Sequence, residues 1–185
     1  MSNFILIIAA TMILPIKDNL NGHQLIQEEL AMQSKINKEI LKISQKIKRI
    51  SYGHSKEYIR KISKYIYKSS EKYNINEDIL ISIIQKESSF RQNIRSRTND
   101  VSLVQINPRW WRKEFKRLKR SPLNEEKLKK DTKYAIDRMA EILSILKDRH
   151  KDDPHWYANY HSTTKKLKNR YLASIQKIKY KIKNM

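Results

Sequence analysis

The stretch NINEDILISIIQKESSF, residues 74–90, decides the fold class. Leu80, Ile83 and Ile84 recur at helical spacing and define one apolar face. Asn76 stands just before the run as an N-cap, and Glu77 and Asp78 occupy the first turn, where carboxylates meet the positive end of the helix dipole. The pattern predicts a helix from about Glu77 to Ser89. Glu87 lies three, four and seven residues after Ile84, Ile83 and Leu80, so it shares their face. A carboxylate there is out of place. Burial disfavours its charged form and raises its pKa. A carboxylic acid kept protonated near neutral pH is what a general acid requires. The structural alternative is a Glu at a helix end paired with one of the chain's many cations.

Outward from this helix the chain reads as further helices. Tyr58, Ile59, Ile62 and Ile66 form an apolar stripe ahead of it. Ala135, Met139, Ile142, Leu143 and Leu146 form another, within one helix expected over about residues 125–147. A last segment runs from Trp156 to about Ile182. Ile36, Ile40, Ile43, Ile47 and Ile50 are spaced 4, 3, 4 and 3, a short amphipathic seam. Ser51 to His54 interrupts it, with Gly53 marking a boundary. Residues 4–16 are nearly all apolar. A spanning helix needs roughly 20 residues, so this length fits a signal peptide better, with an uncleaved membrane anchor or a buried N-terminal helix as alternatives. The expected organisation is a leader over 1–20, an amphipathic helical linker over 21–54 and a catalytic domain over 55–185.

Composition narrows the chemistry. The 185 residues include 40 Lys+Arg against 19 Asp+Glu, a net charge of +21, with two glycines and no cysteine. Without cysteine there is no disulfide framework, no thiolate metal site and no Cys nucleophile. Two glycines exclude phosphate-cradling Gly-rich loops and argue against turn-rich β folds. The fold class is therefore all-α. The charge suggests an anionic partner, nucleic acid among the candidates, with solvated helix faces as the structural alternative. A nucleic-acid-binding helical protein would explain the charge, but neither Glu87 on an apolar face nor the apolar leader. His150, His155 and His161 with Asp152 and Asp153 match no zinc spacing, so neither a metal nor a cofactor is expected.

Ile83-Ile84-Gln85-Lys86-Glu87-Ser88-Ser89-Phe90 resembles the I-I-x-x-E-S-x-F signature of the soluble lytic transglycosylases, relatives of goose-type lysozyme. That family places a Ser nine residues after the Glu, and the Gln of a Gly-Leu-Met-Gln motif eighteen after it. Ser96 stands at the first place, and Ser102-Leu103-Val104-Gln105 ends in Gln at the second. Ala158-Asn159-Tyr160-His161-Ser162 resembles a variant of the family's Ala-Tyr-Asn-Ala-Gly motif, and Tyr171 matches a Tyr common in the closing helix. The likeness covers roughly residues 55–178. Two departures stand out. Ser102 replaces the family's Gly, and Arg97-Thr98-Asn99-Asp100 replaces its usual Pro-x-Gly-Ala loop.

The resemblance implies a lysozyme-like helical domain acting on the glycan strand of peptidoglycan. Glu87 would be the catalytic acid and base, cutting the β-1,4 bond between N-acetylmuramic acid and N-acetylglucosamine with closure of a 1,6-anhydro ring. Ser88, Gln105, Tyr160 and His161 would bind or orient substrate. Trp110 and Trp111 offer flat faces for sugar rings, with core packing the alternative for one of them. Asp100 and Asp131 are the second carboxylates a hydrolytic muramidase would need. The family's setting implies export to the periplasm or cell envelope, wall remodelling or local wall opening, and service to secretion or conjugation machinery, with nucleic acid not the expected partner. Membrane anchoring would run through residues 4–16. An inactive glycan-binding scaffold is the remaining alternative, kept open by Ser102.

Overall fold

The computed structural model describes residues 22–184, so the leader expected over residues 1–20 lies outside the described part. The chain divides into two compact units, residues 1–38 and 39–185. The described elements are helices α1 (Gly22–Ile50), α2 (Lys56–Tyr73), α3 (Glu77–Ser88), α4 (Pro108–Arg117), α5 (Glu125–Lys130), α6 (Thr132–Arg149) and α7 (Lys165–Asn184), with a 3-10 turn at Trp156–Tyr160. Among the described residues there is no β-strand, only isolated bridges joining Val101 to Arg95 and to Ile106. The all-α class expected from the sequence is the class observed.

In the first unit the described residues are the opening turns of α1, where Leu25, Ile26, Leu30 and Met32 face solvent. No described helix is long and apolar enough to cross a membrane.

In the second unit the remainder of α1 contributes Ile40, Ile43 and Ile47 to the buried interior. Ser44 on α1 donates to Ser63 on α2 at 2.9 Å, and both are buried. Gly53, at φ +82°, takes the left-handed turn between the two helices that a side chain would strain. The N-cap Ser55 accepts the Tyr58 N–H and starts α2, which buries Ile59, Ile62 and Ile66.

Helix α3 is the hub. Asn76 caps it by accepting the Asp78 N–H at 2.9 Å. Lys46 of α1 pairs with both first-turn acids, Glu77 at 3.1 Å and Asp78 at 2.8 Å. Beyond the predicted Leu80, Ile83 and Ile84, the helix also buries Ile79, Ile81 and Ser82. A helix buried nearly all round belongs at the centre of a domain. α7 packs against it through Tyr171 and Ile175, and α6 lies against α2.

The single helix expected over residues 125–147 is two helices. Asp131 breaks it with extended backbone (φ −110°, ψ 101°), ending α5 and capping α6 through the Tyr134 N–H. Asp competes for nearby N–H groups and so favours caps over helix interiors. Asp131 is thereby used as a cap. Helix α4 had no counterpart among the expected elements. Asn107 accepts the Trp110 N–H at 3.1 Å, and Pro108 stands in the first turn. Proline suits that place because its missing N–H has no partner there anyway.

Candidate active site

α3 ends where the chain turns back on itself. Ser89 (φ +52°) and Phe90 (φ +64°) are both left-handed. Two contacts from the start of α2 hold that turn: Tyr58 Oη donates to the Phe90 carbonyl at 2.7 Å, and His54 Nε2 lies 2.9 Å from the Ser89 carbonyl. The turn leaves Glu87 at the lip of the helix, facing an open cleft of about 940 Å³. The far side of the cleft comes from α4, from the end of α6 and from residues 159–163.

Glu87 is mostly buried, and Oε1 has no hydrogen-bond partner. Burial pushes its pKa up to about 7, the nearby Asp100 carboxylate adding to the rise, while Tyr171 and Lys86 oppose it. The Tyr171 hydroxyl is also buried without a partner in full hydrogen-bond geometry. It lies close enough to Glu87 to favour the charged carboxylate, and its own ionisation is pushed well above 10 by burial. The carboxyl thus sits where protonated and ionised forms are nearly equal at neutral pH. Such a site costs stability, but the five apolar side chains that α3 buries contribute about 10 kcal/mol at roughly 2 kcal/mol each. One strained carboxyl is affordable beside them.

Tyr160 Oη donates to the Val104 carbonyl at 2.8 Å and ties the 3-10 turn to the cleft loop. Burial raises its pKa well above 10, so the hydroxyl stays protonated. His161 stacks on Tyr171 with ring centroids 4.9 Å apart and planes 8° apart. Partial burial and then the Lys86 charge push its pKa below 6.5, so it is neutral at pH 7. Gln105, in left-handed backbone at φ +48°, donates Nε2 to the Ser102 carbonyl at 2.8 Å. Glu87, Gln105, Tyr160 and His161 all line the cleft. Ser88 does not. It is buried, and its hydroxyl donates back to the Ile84 carbonyl at 3.2 Å. Trp110 and Trp111 both border the cleft, but Trp110 is 62% exposed, whereas Trp111 is 7% exposed and packs on Phe115 with centroids 6.1 Å apart.

The loop that replaces the resembling family's Pro-x-Gly-Ala is built on Asp100. Oδ2 accepts from Ser96 Oγ at 2.8 Å and Thr98 Oγ1 at 2.6 Å, and Oδ1 accepts from Asn107 Nδ2 at 2.9 Å. Ser96, matched by spacing alone, is therefore a knot in this loop. Asn107, which follows directly on the Gln105 motif in Ile106-Asn107-Pro108, joins the knot to the start of α4. An Asn-Pro pair ahead of a helix was the available signal.

Ser102 is left-handed at φ +69° and buried. A non-glycine residue there carries roughly 1 kcal/mol of conformational cost. Its hydroxyl returns only one long contact, 3.4 Å from the Val104 N–H. Ser102→Gly is therefore expected to stabilise the protein by about 0.5 kcal/mol, once glycine's greater unfolded-state freedom is subtracted. Thermal denaturation should show a Tm higher by about 1–2 °C. A fall in Tm would mean that the hydroxyl matters more than the backbone.

Among the described residues no three His, Asp or Glu side chains gather into a metal-binding group. Asp153 instead accepts the His155 N–H at 2.8 Å and pairs with Lys168 at 2.6 Å.

The sequence matches the model of a known domain family, the transglycosylase SLT domain, over residues 64–182, well over half of the chain. The match spans α3, the cleft loop, the 3-10 turn and nearly all of α7. No curated protein matches the chain.

Proposed function

The chain belongs to the transglycosylase SLT domain family, with its all-α lysozyme-like fold, and on that premise we propose that it is a peptidoglycan lytic transglycosylase with Glu87 as its catalytic residue. One observation carries the reading: the mostly buried Glu87 carboxyl, with pKa near 7, opens onto a cleft large enough for several sugar rings. In its protonated form Glu87 donates to the oxygen bridging N-acetylmuramic acid and N-acetylglucosamine. The bond to the anomeric carbon breaks, assisted by the substrate's own N-acetyl group. The resulting carboxylate takes the proton of the muramic C6 hydroxyl, whose oxygen closes the 1,6-anhydro ring. The proton returns to Glu87, no water is consumed, and no second carboxylate is required, unlike the usual pair.

Gln105, Tyr160 and His161 orient the sugars. Tyr160, tethered at Val104, holds its ring in place, and neutral His161 offers a hydrogen-bonding edge without adding charge. Ser88 acts through the helix end that presents Glu87. Residues 55–185 form the catalytic part, residues 21–54 the preceding helical segment and residues 1–20 the leader, in a protein of the periplasm or cell envelope that remodels or locally opens the wall.

A muramidase is the second reading, because Asp100 faces the same cleft and its charge reaches Glu87. Both Asp100 oxygens are already engaged by Ser96, Thr98 and Asn107, which favours a structural role. Digestion of purified sacculi followed by mass spectrometry separates the two. Anhydro-muropeptides are the expected products. Reducing ends would mean a muramidase, and no products with binding intact would mean a scaffold.

The pH profile follows from the same carboxyl. The protonated form is the acid, so kcat/KM should be level below pH 7 and fall about tenfold per unit above it. A profile flat from pH 6 to 9 would remove Glu87 from that role.

A further inference from the structure

The cations around the cleft fall into two sets. Arg117 pairs with Glu114 at 2.7 Å, and Arg149 pairs with the same carboxyl, which the two hold down to about 2. Arg112 reaches Glu125 at 3.6 Å. Arg109 and Lys113 also line the cleft, yet neither has a carboxylate partner among the described residues. They lie one turn apart on α4, where side chains at i and i+4 are neighbours and like charges repel. An unpaired cation pair on a cleft wall is complementary to an anion that enters from outside. Trp110, beside Arg109, adds an exposed ring to the same wall.

We infer that Arg109 and Lys113 form a specificity subsite for the carboxylates of the peptide stems borne by the muramic sugars; this deepens, and rests on, the glycan-strand reading above. A stem leaves the strand sideways, so it meets one wall of the cleft while the sugar backbone follows the floor. The cations come from α4, and the acids of the cleft, Glu87 and Asp100, come from α3 and the loop. A polymer with a charged backbone, such as nucleic acid, would carry its phosphates past those acids. A neutral glycan with anionic side branches avoids them. Arg109 can grip a carboxylate with two parallel N–H groups, and Lys113 adds a point charge one turn along.

Binding of soluble glycan strands to the Glu87→Gln protein tests this without cleavage intervening. Intact strands are compared with strands whose stem carboxylates have been capped as methylamides, because an amidase would leave a lactyl carboxylate on every muramic sugar. Intact strands should bind about threefold to tenfold more tightly, the range expected from two solvent-exposed ion pairs. The preference should shrink as salt is raised. In Arg109→Ala/Lys113→Ala the ratio of the two affinities should fall to near one, and in Arg109→Glu/Lys113→Glu below one, with circular dichroism checking that both variants fold. A ratio of one in the parent protein, a ratio that survives both variants, or failure to bind either strand overturns the subsite. So does a preference abolished by removing strand phosphate while the stem carboxylates stay free. Cleavage by the unsubstituted protein is scored separately: if it cleaves nothing while the affinity ratio behaves as expected, the enzymatic reading fails and the subsite stands.

Discussion

Glu87→Gln should stop glycan cleavage and, in the same protein, raise stability above pH 7. Loss of a general acid and base is worth about 10²–10⁴-fold in rate. Here the two roles fall on one group, so a loss at the upper end, about 10⁴-fold, is expected in a sacculus digestion assay. The stability effect has the opposite direction and a definite pH window. The folded-state pKa, about 7, lies above the usual carboxyl value of 4.5. Between these values the native state holds a proton that the unfolded chain has released, so native stability declines as pH rises through that interval. Below pH 4.5 both states are protonated and nothing is lost. Above pH 7 the loss is complete, and for a shift of this size it is on the order of 3 kcal/mol. Gln never ionises and avoids it. Urea denaturation at pH 5 and pH 8 should therefore show the variant gaining over the parent mainly at pH 8. A variant that kept full activity would contradict the catalytic role of Glu87, and one no more stable at pH 8 than at pH 5 relative to the parent would contradict the burial of this carboxyl.

Phe115→Ala should be the most destabilising simple change near the cleft, costing about 3–5 kcal/mol. α4 buries only Pro108, Trp111 and Phe115, and its other side chains are mostly charged. Phe115 is fully buried, packs on Trp111, and lies under the Arg138 guanidinium at 5.7 Å from its ring centroid. Removing it takes away the ring on which Trp111 and Arg138 rest and leaves a cavity. That cost is a large part of the 5–15 kcal/mol that typically holds a domain together. Urea denaturation should show the midpoint falling sharply, and glycan cleavage should fall with it, because α4 forms a wall of the cleft. Lys116→Ala on the exposed side of the same helix should change stability by less than about 0.5 kcal/mol. Equal effects from the two substitutions would mean that α4 is not anchored by its aromatic face.

What the sequence displays depends on where the information resides. The periodicity of Leu80, Ile83 and Ile84, the Asn76 cap and the misplaced Glu87 are local, and the helix they predict is observed within one residue of its expected end. The Tyr160 and His161 positions are visible as a motif, and Gln105 stands at a fixed separation from Glu87. The break at Asp131 is harder to see. Glu125, Glu126, Leu128 and lysines before it and Lys133 and Ala135 after it favour helix, and only a side chain that captures an N–H three residues on interrupts it. α4 is obscured because two buried aromatics sit among five Lys and Arg residues. The pairing that leaves Arg109 and Lys113 unmatched is settled by which cations Glu114 on α4 and Glu125 on α5 take instead. Asp100 looks like a turn residue in sequence, and only the fold brings Ser96, Thr98 and Asn107 onto its two oxygens.

Ser89, Phe90, Asn99, Ser102 and Gln105 all follow left-handed backbone between α3 and α4, and none of them is glycine. Local preference therefore runs against the path of this loop at several points. What opposes it is the burial of Phe90, Val101, Leu103, Val104 and Ile106. The contour of the cleft is thus an imprint of the hydrophobic interior and not a property of the segment that traces it. Residues 89–107 transplanted onto another scaffold would not bring the cleft with them, and a synthetic peptide of that stretch would not adopt its shape.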